Sequence, residues 1–328
     1  MKICVLGGTG NISTSIVREL VRLGHDVTCF NRGQQGRPPD GVRIITGDRV
    51  QRAEFERQMQ AGQFEAAIDM ICFNREDAES TIRAFRGARH VVYCSTVCTY
   101  GIQYDWMPVT EDHPLRPITD YGRNKAAADN AFLAAHYRDG FPVTIIKPST
   151  TYGPAMGLLR QVAWEFSWID RVRKGKPIVV CGDGLALHQF LHVDDAALGF
   201  AHIVGRDCAI GQTYNLVRNG YTSWADYHRA AMRVIGREVE LVGVPLDTLV
   251  RAQVPESDIC RTIFAHTTYY SGVRIARDVP EFRPRVSLEQ GMRLVLEDME
   301  RTGRIPDAGK NTWEDTLIKQ QRKVGQQM

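Results

Sequence analysis

The sequence predicts an α/β protein in which a doubly wound parallel sheet is followed by a smaller α+β part. In the first half of the chain, short apolar runs alternate with amphipathic helical stretches. Near-continuous apolar strands that alternate with helices are typical of a parallel sheet covered on both faces. Beyond Gly153-Pro154 this alternation stops, and longer mixed segments richer in Pro, Gly and aromatic residues follow. At 328 residues, one large domain with a smaller one is the natural expectation.

The predicted elements follow one another in a regular order. KICVL is the first strand, and NISTSIVRELVRLG is the first helix because Ile12, Ile16, Leu20 and Leu23 recur on one face before Gly24 ends it. The further strands are DVTCF, VRIIT, EAAID, ARHVVYCS and PVTIIKP. The helices between them are QRAEFERQMQAG, REDAESTIRAFRG and YGRNKAAADNAFLAAHYRDG. The later helix HVDDAALGFAHIVG and strand QTYNLV are expected to return to the large domain.

These patterns set the expected domain boundaries. Residues 1–154 and about 190–220 are assigned to a dinucleotide-binding Rossmann domain. Residues from about 155 to 189 and 221 to 310 are assigned to a substrate-binding domain, and 311–328 to a polar C-terminal tail.

Composition excludes several classes of protein. The 41 basic and 38 acidic residues leave a net charge of +3, which gives no bulk attraction to nucleic acid or to a membrane surface. No apolar run approaches the ~18–20 residues that span a bilayer, and no charged and then apolar leader opens the chain. The eight cysteines form no CxxC pair. Reduced thiols, a cytoplasmic location and no metal site are therefore expected.

The stretch GGTGNIS, from Gly7 to Ser13, follows the first strand directly. In a Rossmann turn the first glycine permits the tight bend, the second lets the backbone approach the pyrophosphate, and the third packs helix on strand. Gly7 and Gly10 keep the first two positions, and Ser13 fills the third as a small packing residue. The loop residues expected to contact a dinucleotide are Gly7, Thr9, Gly10, Asn11 and Ile12.

The residues after the second and third strands bear on the choice of cofactor. The second strand ends at Asn31-Arg32, where an NAD site usually places an acid and an NADP site an arginine. NADP is therefore favoured over NAD, with a solvated loop arginine as the alternative. After the third strand, Asp48-Arg49 places a carboxylate where it can accept from the adenine amino group, unless Asp48 is only a turn residue.

A proton-transfer set is predicted next to this loop. Tyr121 and Lys125 stand four residues apart, on one face of a helix, and Ser95-Thr96 lie at the carboxyl end of the fifth strand. A free phenol has a pKa of ~10, and a nearby ammonium and a positive nicotinamide ring are expected to lower it. Tyr121 would then remove a hydroxyl proton, Thr96 would orient that oxygen, and Lys125 would hold the nicotinamide ribose.

Together these motifs resemble the extended short-chain dehydrogenase/reductase superfamily, and within it the NAD(P)-dependent sugar epimerase/dehydratase group. The likeness also includes YCSTVCTYG, TEDHPLRPITDYGRNK, IIKPSTTYGP, CGDGLALHQFLHVDD and FRPRVSLEQGM. The resemblance implies Thr96, Tyr121 and Lys125 as the catalytic set, and Pro148 and Ser149 beside the nicotinamide. It also implies a sugar-like substrate bound by the part after residue 154, and a homodimer formed through the helix that bears Tyr121.

The departures from the group's pattern concern the substrate. Dehydratases of the group carry Thr-Asp-Glu where this chain has Thr96-Val97-Cys98, so no acid is placed to protonate a leaving hydroxyl. His188 stands where nucleotide-sugar enzymes usually have an arginine that clamps the diphosphate. Thr96, Cys98 and His188 are the candidate substrate-binding residues, with a core histidine as the alternative for His188.

Three functions remain open at this point. The resemblance favours an epimerase that moves hydride at a secondary alcohol of a sugar or nucleotide sugar. An NADP-dependent reductase or dehydrogenase of a sugar-like ketone or alcohol is the alternative. The third is an RNA-binding module similar to the plastid stem-loop RNA-binding proteins, for which the arginine-rich stretches 171–176 and 274–285 are candidates. The complete Thr96, Tyr121 and Lys125 set argues for catalysis and against nucleic acid as a partner.

Overall fold

The computed structural model describes residues 1–34 and 36–326. Among these residues the strands, in chain order, are β1 Lys2–Leu6, β2 Asp26–Asn31, β3 Arg43–Thr46, β4 Ala66–Asp69, β5 His90–Cys94, β6 Val143–Pro148, β7 Thr150–Tyr152, β8 Ile178–Cys181, β9 Leu187–His188, β10 Phe190–His192, β11 Thr213–Leu216, β12 Thr222–Ser223 and β13 Leu241–Val244. The α-helices are α1 Ser13–Arg22, α2 Arg52–Gly62, α3 Arg75–Ala84, α4 Asp120–Asp139, α5 Ser167–Arg173, α6 Val193–Ile203, α7 Trp224–Ile235, α8 Leu246–Arg251, α9 Val273–Asp278, α10 Leu288–Arg301 and α11 Trp313–Gln326. A 3₁₀ helix at Val97–Tyr100 follows β5.

The chain divides into two compact units. The first comprises Met1–Thr151, Val193–Asn219 and Tyr270–Arg285, and the second comprises Tyr152–His192, Gly220–Tyr269 and the described residues from Val286 onward. The sequence pattern assigns 270–285 to the substrate-binding part, but the structure places this stretch in the first unit. There α9 packs against β11, and the Tyr214 hydroxyl donates to Asp278 at 2.9 Å.

The first unit is built on a doubly wound parallel sheet, as the sequence predicts. Its seven described strands run in the order β11-β6-β5-β4-β1-β2-β3, and every ladder given between them is parallel. The order reverses between β1 and β4, and ligands bind open α/β sheets at the carboxyl ends of the strands beside such a switch point. The glycine loop, which follows β1, therefore lies at the expected position for a ligand.

Helices cover both faces of this sheet. Helices α1 and α6 pack together, while α2, α3 and α4 form a second packed set. The strands β4, β5 and β6 are buried along their whole length, which explains why their sequences are largely apolar. Tyr93 of β5 packs on Phe132 of α4 with ring centroids 4.8 Å apart, so the helix that bears Tyr121 is fixed to the central strand.

Among the described residues, the second unit has two separate two-stranded sheets and an aromatic core. Strand β8 pairs in parallel with β13, and β9 pairs antiparallel with β12. The expected polar tail instead contains α11, whose Leu317 and Ile318 are buried in a hydrophobic cluster. Glu314, also on α11, is buried and pairs with Arg160 at 2.6 Å. An apolar stripe and one buried ion pair thus dock a segment whose composition alone is polar.

The helices of the described chain give no candidate for a membrane span, because none is both long and apolar enough.

Candidate active site

The glycine loop after β1 is tightly packed against its neighbours. Gly7 has φ +80°, and a Cβ atom added to it would lie 2.3 Å from Cγ2 of Ile71. A Cβ atom on Gly8 would lie 2.3 Å from the sulfur of Cys29. Both positions therefore require glycine, the first for its backbone conformation as well as for its close contact.

Ser13 has a role in this loop that the sequence analysis did not predict. Its hydroxyl accepts a hydrogen bond from the Gly10 N–H at 2.8 Å and donates one to the Gly7 carbonyl at 2.5 Å. Ser13 is itself buried. The residue that replaces the third glycine therefore ties the first two glycine positions of the motif together. The signal available in the sequence was the hydroxyl itself, which a packing position does not need.

A cavity of about 440 Å³ lies at the carboxyl ends of the strands of the first unit. The loops after β1, β2, β3 and β4 all contribute to its walls. Its lining includes Gly7, Thr9, Gly10, Asn31, Arg32, Asp48 and Arg49, and also Arg52, Phe73 and Asn74, which the sequence analysis did not single out.

The end of β2 carries no carboxylate toward this cavity. The sequence here is Asn31-Arg32-Gly33, and Arg32 is exposed. The Asn31 side-chain oxygen accepts the Gly33 N–H at 2.8 Å, which holds the turn. Asp48 makes a similar turn, since one carboxylate oxygen accepts the Val50 N–H at 3.1 Å. The cationic group of Arg32 thus stands where NAD-binding folds keep an acid.

Arg49 lines the cavity, but its guanidinium is held inside the protein. One terminal nitrogen donates to both oxygens of Asp69, at 3.0 and 3.1 Å. The other donates to the Asp77 carbonyl and to the Thr81 hydroxyl, both at 2.9 Å. Both terminal nitrogens of Arg49 are thus engaged in the cavity wall, whereas its Nε has no hydrogen-bond partner among the described residues.

Lys125 of α4 is buried and firmly anchored. Its ammonium group donates to the carbonyls of Cys72 and Cys94, each at 2.7 Å. It also lies 5.9 Å from the ring centroid of Tyr121. Since an ammonium carries three hydrogens, one remains for a hydroxyl of a ligand. Gly122 permits this placement of α4, because a Cβ atom there would lie 2.7 Å from the Cys98 carbonyl.

Tyr121 and Thr96 lie together at the start of α4 and the end of β5. Tyr121 is 47% exposed as a whole residue, yet burial raises the pKa of its phenol, and the thiols of Cys94 and Cys98 add to this rise. The Thr96 side chain acts in the opposite direction and favours the ionised phenol. From the sequence alone, the phenol pKa of Tyr121 is expected to be lowered. In the protein by itself it is raised, because burial disfavours the charged phenolate.

Thr96 is also held by the turn that follows it. Its hydroxyl oxygen accepts the Cys98 N–H at 3.2 Å, and its side chain also hydrogen-bonds Tyr121. Burial raises the pKa of the Cys98 thiol, so Cys98 presents a neutral side chain beside Thr96.

Polar side chains in the glycine loop and directly after β6 fit a bound dinucleotide. Both polar atoms of the Asn11 side chain and the hydroxyl of Ser149 are buried without a hydrogen-bond partner among the described residues. Buried polar groups are normally satisfied, and these atoms could pair with the polar groups of a dinucleotide. Ile12 lies directly before α1, Pro148 ends β6, and Ser95 is buried directly after β5.

His188 lies in the core of the second unit. Its ring nitrogens contact the His266 carbonyl at 3.1 Å and the Thr268 hydroxyl at 3.3 Å. Burial lowers the pKa of His188 to about 3, so the ring is neutral. Trp224 packs on it with centroids 5.3 Å apart. This is the core histidine that the sequence analysis gives as its alternative, and no ring nitrogen is left for a substrate.

Comparison with known proteins identifies the family of the chain. The family model described as "NAD dependent epimerase/dehydratase family" matches residues 3–216. The 2'-dehydrokanamycin reductase of Streptomyces kanamyceticus is 29% identical over 75% of this chain and 70% of its own length. The chloroplast stem-loop binding protein of 41 kDa b from Arabidopsis thaliana is 24% identical over 89% and 77%.

Solved structures show the same fold. A UDP-glucose-4-epimerase from Stenotrophomonas maltophila with bound NAD and formylated UDP-arabinopyranose has a TM-score of 0.75 at 19% identity. The match covers 93% of this chain and 99% of that one. The sequence and the fold therefore place the chain in the NAD-dependent epimerase/dehydratase family, as an enzyme of the extended short-chain dehydrogenase/reductase type.

Proposed function

We propose that the enzyme is an NADP(H)-dependent reductase that converts a ketone on a sugar-like ring to a secondary alcohol. The observation that carries the proposal is Arg32, an exposed cation in the wall of the dinucleotide cavity at the end of β2. An arginine there suits the 2′-phosphate of NADP, whereas an NAD enzyme uses an acid to accept from the ribose hydroxyl. Reductive enzymes release and rebind their cofactor at each turnover, unlike epimerases, which recycle one bound molecule.

The residue at the expected diphosphate-binding position supports a sugar-like substrate without a nucleotide. His188 occupies the position of the diphosphate-clamping arginine and is buried with both nitrogens engaged. It therefore supplies neither the positive charge nor the planar pair of N–H donors with which an arginine binds a diphosphate. The relative from Streptomyces kanamyceticus is named for the reduction of 2′-dehydrokanamycin, which supports a net reductase over an epimerase.

The chain's own residues suit proton delivery to a ketone. When bound, the nicotinamide supplies the hydride. Tyr121 gives its proton to the oxygen of the substrate, and its raised pKa keeps the phenol protonated at neutral pH, as a general acid requires. Thr96, whose hydroxyl accepts the Cys98 N–H, hydrogen-bonds the same oxygen and orients it. The loop from Gly7 to Ile12, with Arg32, Asp48 and Ser149, would hold the cofactor, and Lys125 its ribose.

The basic stretches offer no support for the RNA-binding alternative. Arg171 is buried and pairs with Asp315 at 2.5 Å. Arg274 pairs with Asp112 at 3.1 Å, and Arg277 with Asp278 at 2.6 Å. These arginines neutralise neighbouring acids, whereas a nucleic-acid site needs cations that are free to meet phosphates.

The cofactor preference tests the proposal directly. Arg32→Ala removes one charge-assisted contact to the 2′-phosphate, so we expect the KM for NADPH to rise about 10- to 100-fold. The KM for NADH is expected to stay within a factor of about 3, because that cofactor has no phosphate for Arg32 to bind. Arg43→Ala is the matched control, since Arg43 is an exposed arginine on the neighbouring strand that pairs with Asp26 instead. Arg43→Ala should change neither the KM for NADPH nor the KM for NADH.

Two outcomes would contradict the proposal. An unchanged ratio of NADPH to NADH efficiency in Arg32→Ala would remove the basis for NADP. Stoichiometric cofactor released on denaturing fresh protein, with interconversion of two sugar epimers and no net reduction, would identify an epimerase instead.

A further inference from the structure

We propose that Thr99 is a positioning residue, which the buried Lys147–Asp129 ion pair holds against the backbone of Thr96. This inference rests on the proposed function, because it concerns how the enzyme places the hydroxyl that orients the substrate oxygen.

The contacts form one directed chain of hydrogen bonds. The Lys147 ammonium, at the end of β6, pairs with Asp129 of α4 and donates to the Thr99 hydroxyl at 2.7 Å. The Thr99 hydroxyl in turn donates to the Thr96 carbonyl at 2.9 Å. The polarity has one solution, because an ammonium only donates and a hydroxyl has a single hydrogen. The Thr99 hydroxyl must therefore accept a hydrogen bond from the Lys147 ammonium and donate its own hydrogen to the Thr96 carbonyl.

This chain reaches Thr96 from three separate elements. Asp129 lies two turns after Tyr121 on the same helix, Lys147 lies on β6, and Thr99 lies in the 3₁₀ helix after β5. The Thr96 carbonyl is held by Thr99, and the Thr96 hydroxyl accepts from Cys98. The backbone and the side chain of Thr96 are thus fixed by the same short turn, at a set distance from α4.

The burial of the charges indicates a role beyond stability. Thr99, Lys147 and Asp129 are all almost completely excluded from solvent. A buried ion pair gives little net stability over apolar residues of similar size, because both charges lose their hydration. One oxygen of Asp129 even lacks a hydrogen-bond partner among the described residues. What the pair does provide is a fixed, rigid donor pointing at the turn that carries Thr96.

The test removes the Thr99 hydroxyl and preserves its shape. Thr99→Val should lower kcat for ketone reduction roughly 10- to 100-fold, because a small misplacement of an orienting group costs about that factor. The KM values should stay within about 2-fold, since no binding contact changes. Thr99→Ser restores the hydroxyl and should recover most of kcat. Amide hydrogen exchange in peptides that cover residues 94–101 should become faster in Thr99→Val only.

Thr144→Val is the matched control. Thr144 is a buried threonine on β6, and its hydroxyl also donates to a backbone carbonyl, that of Ala209, at 2.5 Å. It lies near the opposite end of the strand from Lys147. The Thr144→Val variant should lose about as much unfolding free energy as Thr99→Val and retain the wild-type kcat. Kinetics are compared at a temperature where circular dichroism shows every variant folded.

The outcomes separate this inference from the proposed function. If Tyr121→Phe and Thr96→Val retain wild-type turnover, the proposed function fails. If those two variants lose turnover but Thr99→Val keeps the wild-type kcat, the positioning role fails. It also fails if Thr99→Val loses kcat and Thr99→Ser does not recover it. Equal losses of kcat in Thr99→Val and Thr144→Val would also overturn it, because the effect would then follow stability alone.

Discussion

At the scale of single residues, the site depends on hydroxyl groups whose partners lie within a few residues of them. Ser13 joins the Gly7 carbonyl to the Gly10 N–H, and Thr96 accepts from Cys98. Short-range bonds of this kind fix a turn with little dependence on distant structure. They also make the turn sensitive to the loss of a single oxygen atom.

Replacing Ser13 by alanine should therefore loosen the glycine loop. The Gly7 carbonyl and the Gly10 N–H both lose a partner, so we expect the free energy of unfolding to fall by about 1–2 kcal/mol. We also expect the Kd for NADPH to rise several-fold, because the loop must then be ordered on binding. Urea unfolding and fluorescence titration with NADPH measure the two effects. An unchanged Kd would show that the hydroxyl does not pre-organise the loop.

Tyr121 carries a pH prediction. Burial raises the pKa of its phenol, so the proton donor stays loaded through neutral and mildly alkaline pH. The rate of ketone reduction at saturating NADPH should be flat in this range, whereas the reverse oxidation needs the phenolate and should rise with pH. Tyr121→Phe should lower kcat by about 10²- to 10⁴-fold in both directions. A variant that kept its turnover would assign the proton to another group.

At the scale of elements, buried charges hold the loops of the cavity in place. Arg49, in the loop between β3 and α2, bonds to Asp69 at the end of β4 and to Asp77 and Thr81 on α3. One side chain thereby connects the β3–α2 loop, β4 and α3. Its loss would leave the carboxylate of Asp69 buried without its cation.

We expect Arg49→Ala to lower the free energy of unfolding by about 3–5 kcal/mol, the usual cost of removing one partner of a buried ion pair. Arg52→Ala is the control, because Arg52 also pairs with Asp77 but at 3.4 Å and with a side chain 32% exposed. Its effect should stay below about 1 kcal/mol. Chemical denaturation of the two variants gives the comparison, and equal effects would contradict the structural role of Arg49.

At the scale of the whole molecule, both units bury neutral histidines. Burial lowers the pKa of His90 in the first unit to about 4, and the pKa values of His188 and His228 in the second to about 3. The unfolded chain binds protons at these groups below a pH of about 6.5, whereas the folded chain does not. Their neutral burial therefore makes stability fall as the pH drops from about 6.5 toward 3–4.

Between pH 7.5 and pH 5.5, each of these histidines should cost about 1.4 kcal/mol of unfolding free energy. His188→Gln removes one titrating group and keeps an amide able to hydrogen-bond. Its unfolding free energy should therefore fall over this pH interval by about 1.4 kcal/mol less than that of the wild type. Urea denaturation at the two pH values measures the difference. An identical loss in the wild type and the variant would show that His188 does not titrate on unfolding.

The sequence by itself determined the order of elements, the parallel sheet and the family, because apolar periodicity and motif spacing are local properties of the chain. KICVL, GGTGNIS and the Tyr121 and Lys125 pair all belong to elements that the structure places as predicted. Only the tertiary structure decided which polar atoms are already engaged. Arg49 is held by acids from two other elements, His188 is enclosed by an aromatic core, and Thr99 receives Lys147 from 48 residues away. Hydrogen bonds and burial of this kind join residues that are distant in the chain, and no local pattern records them.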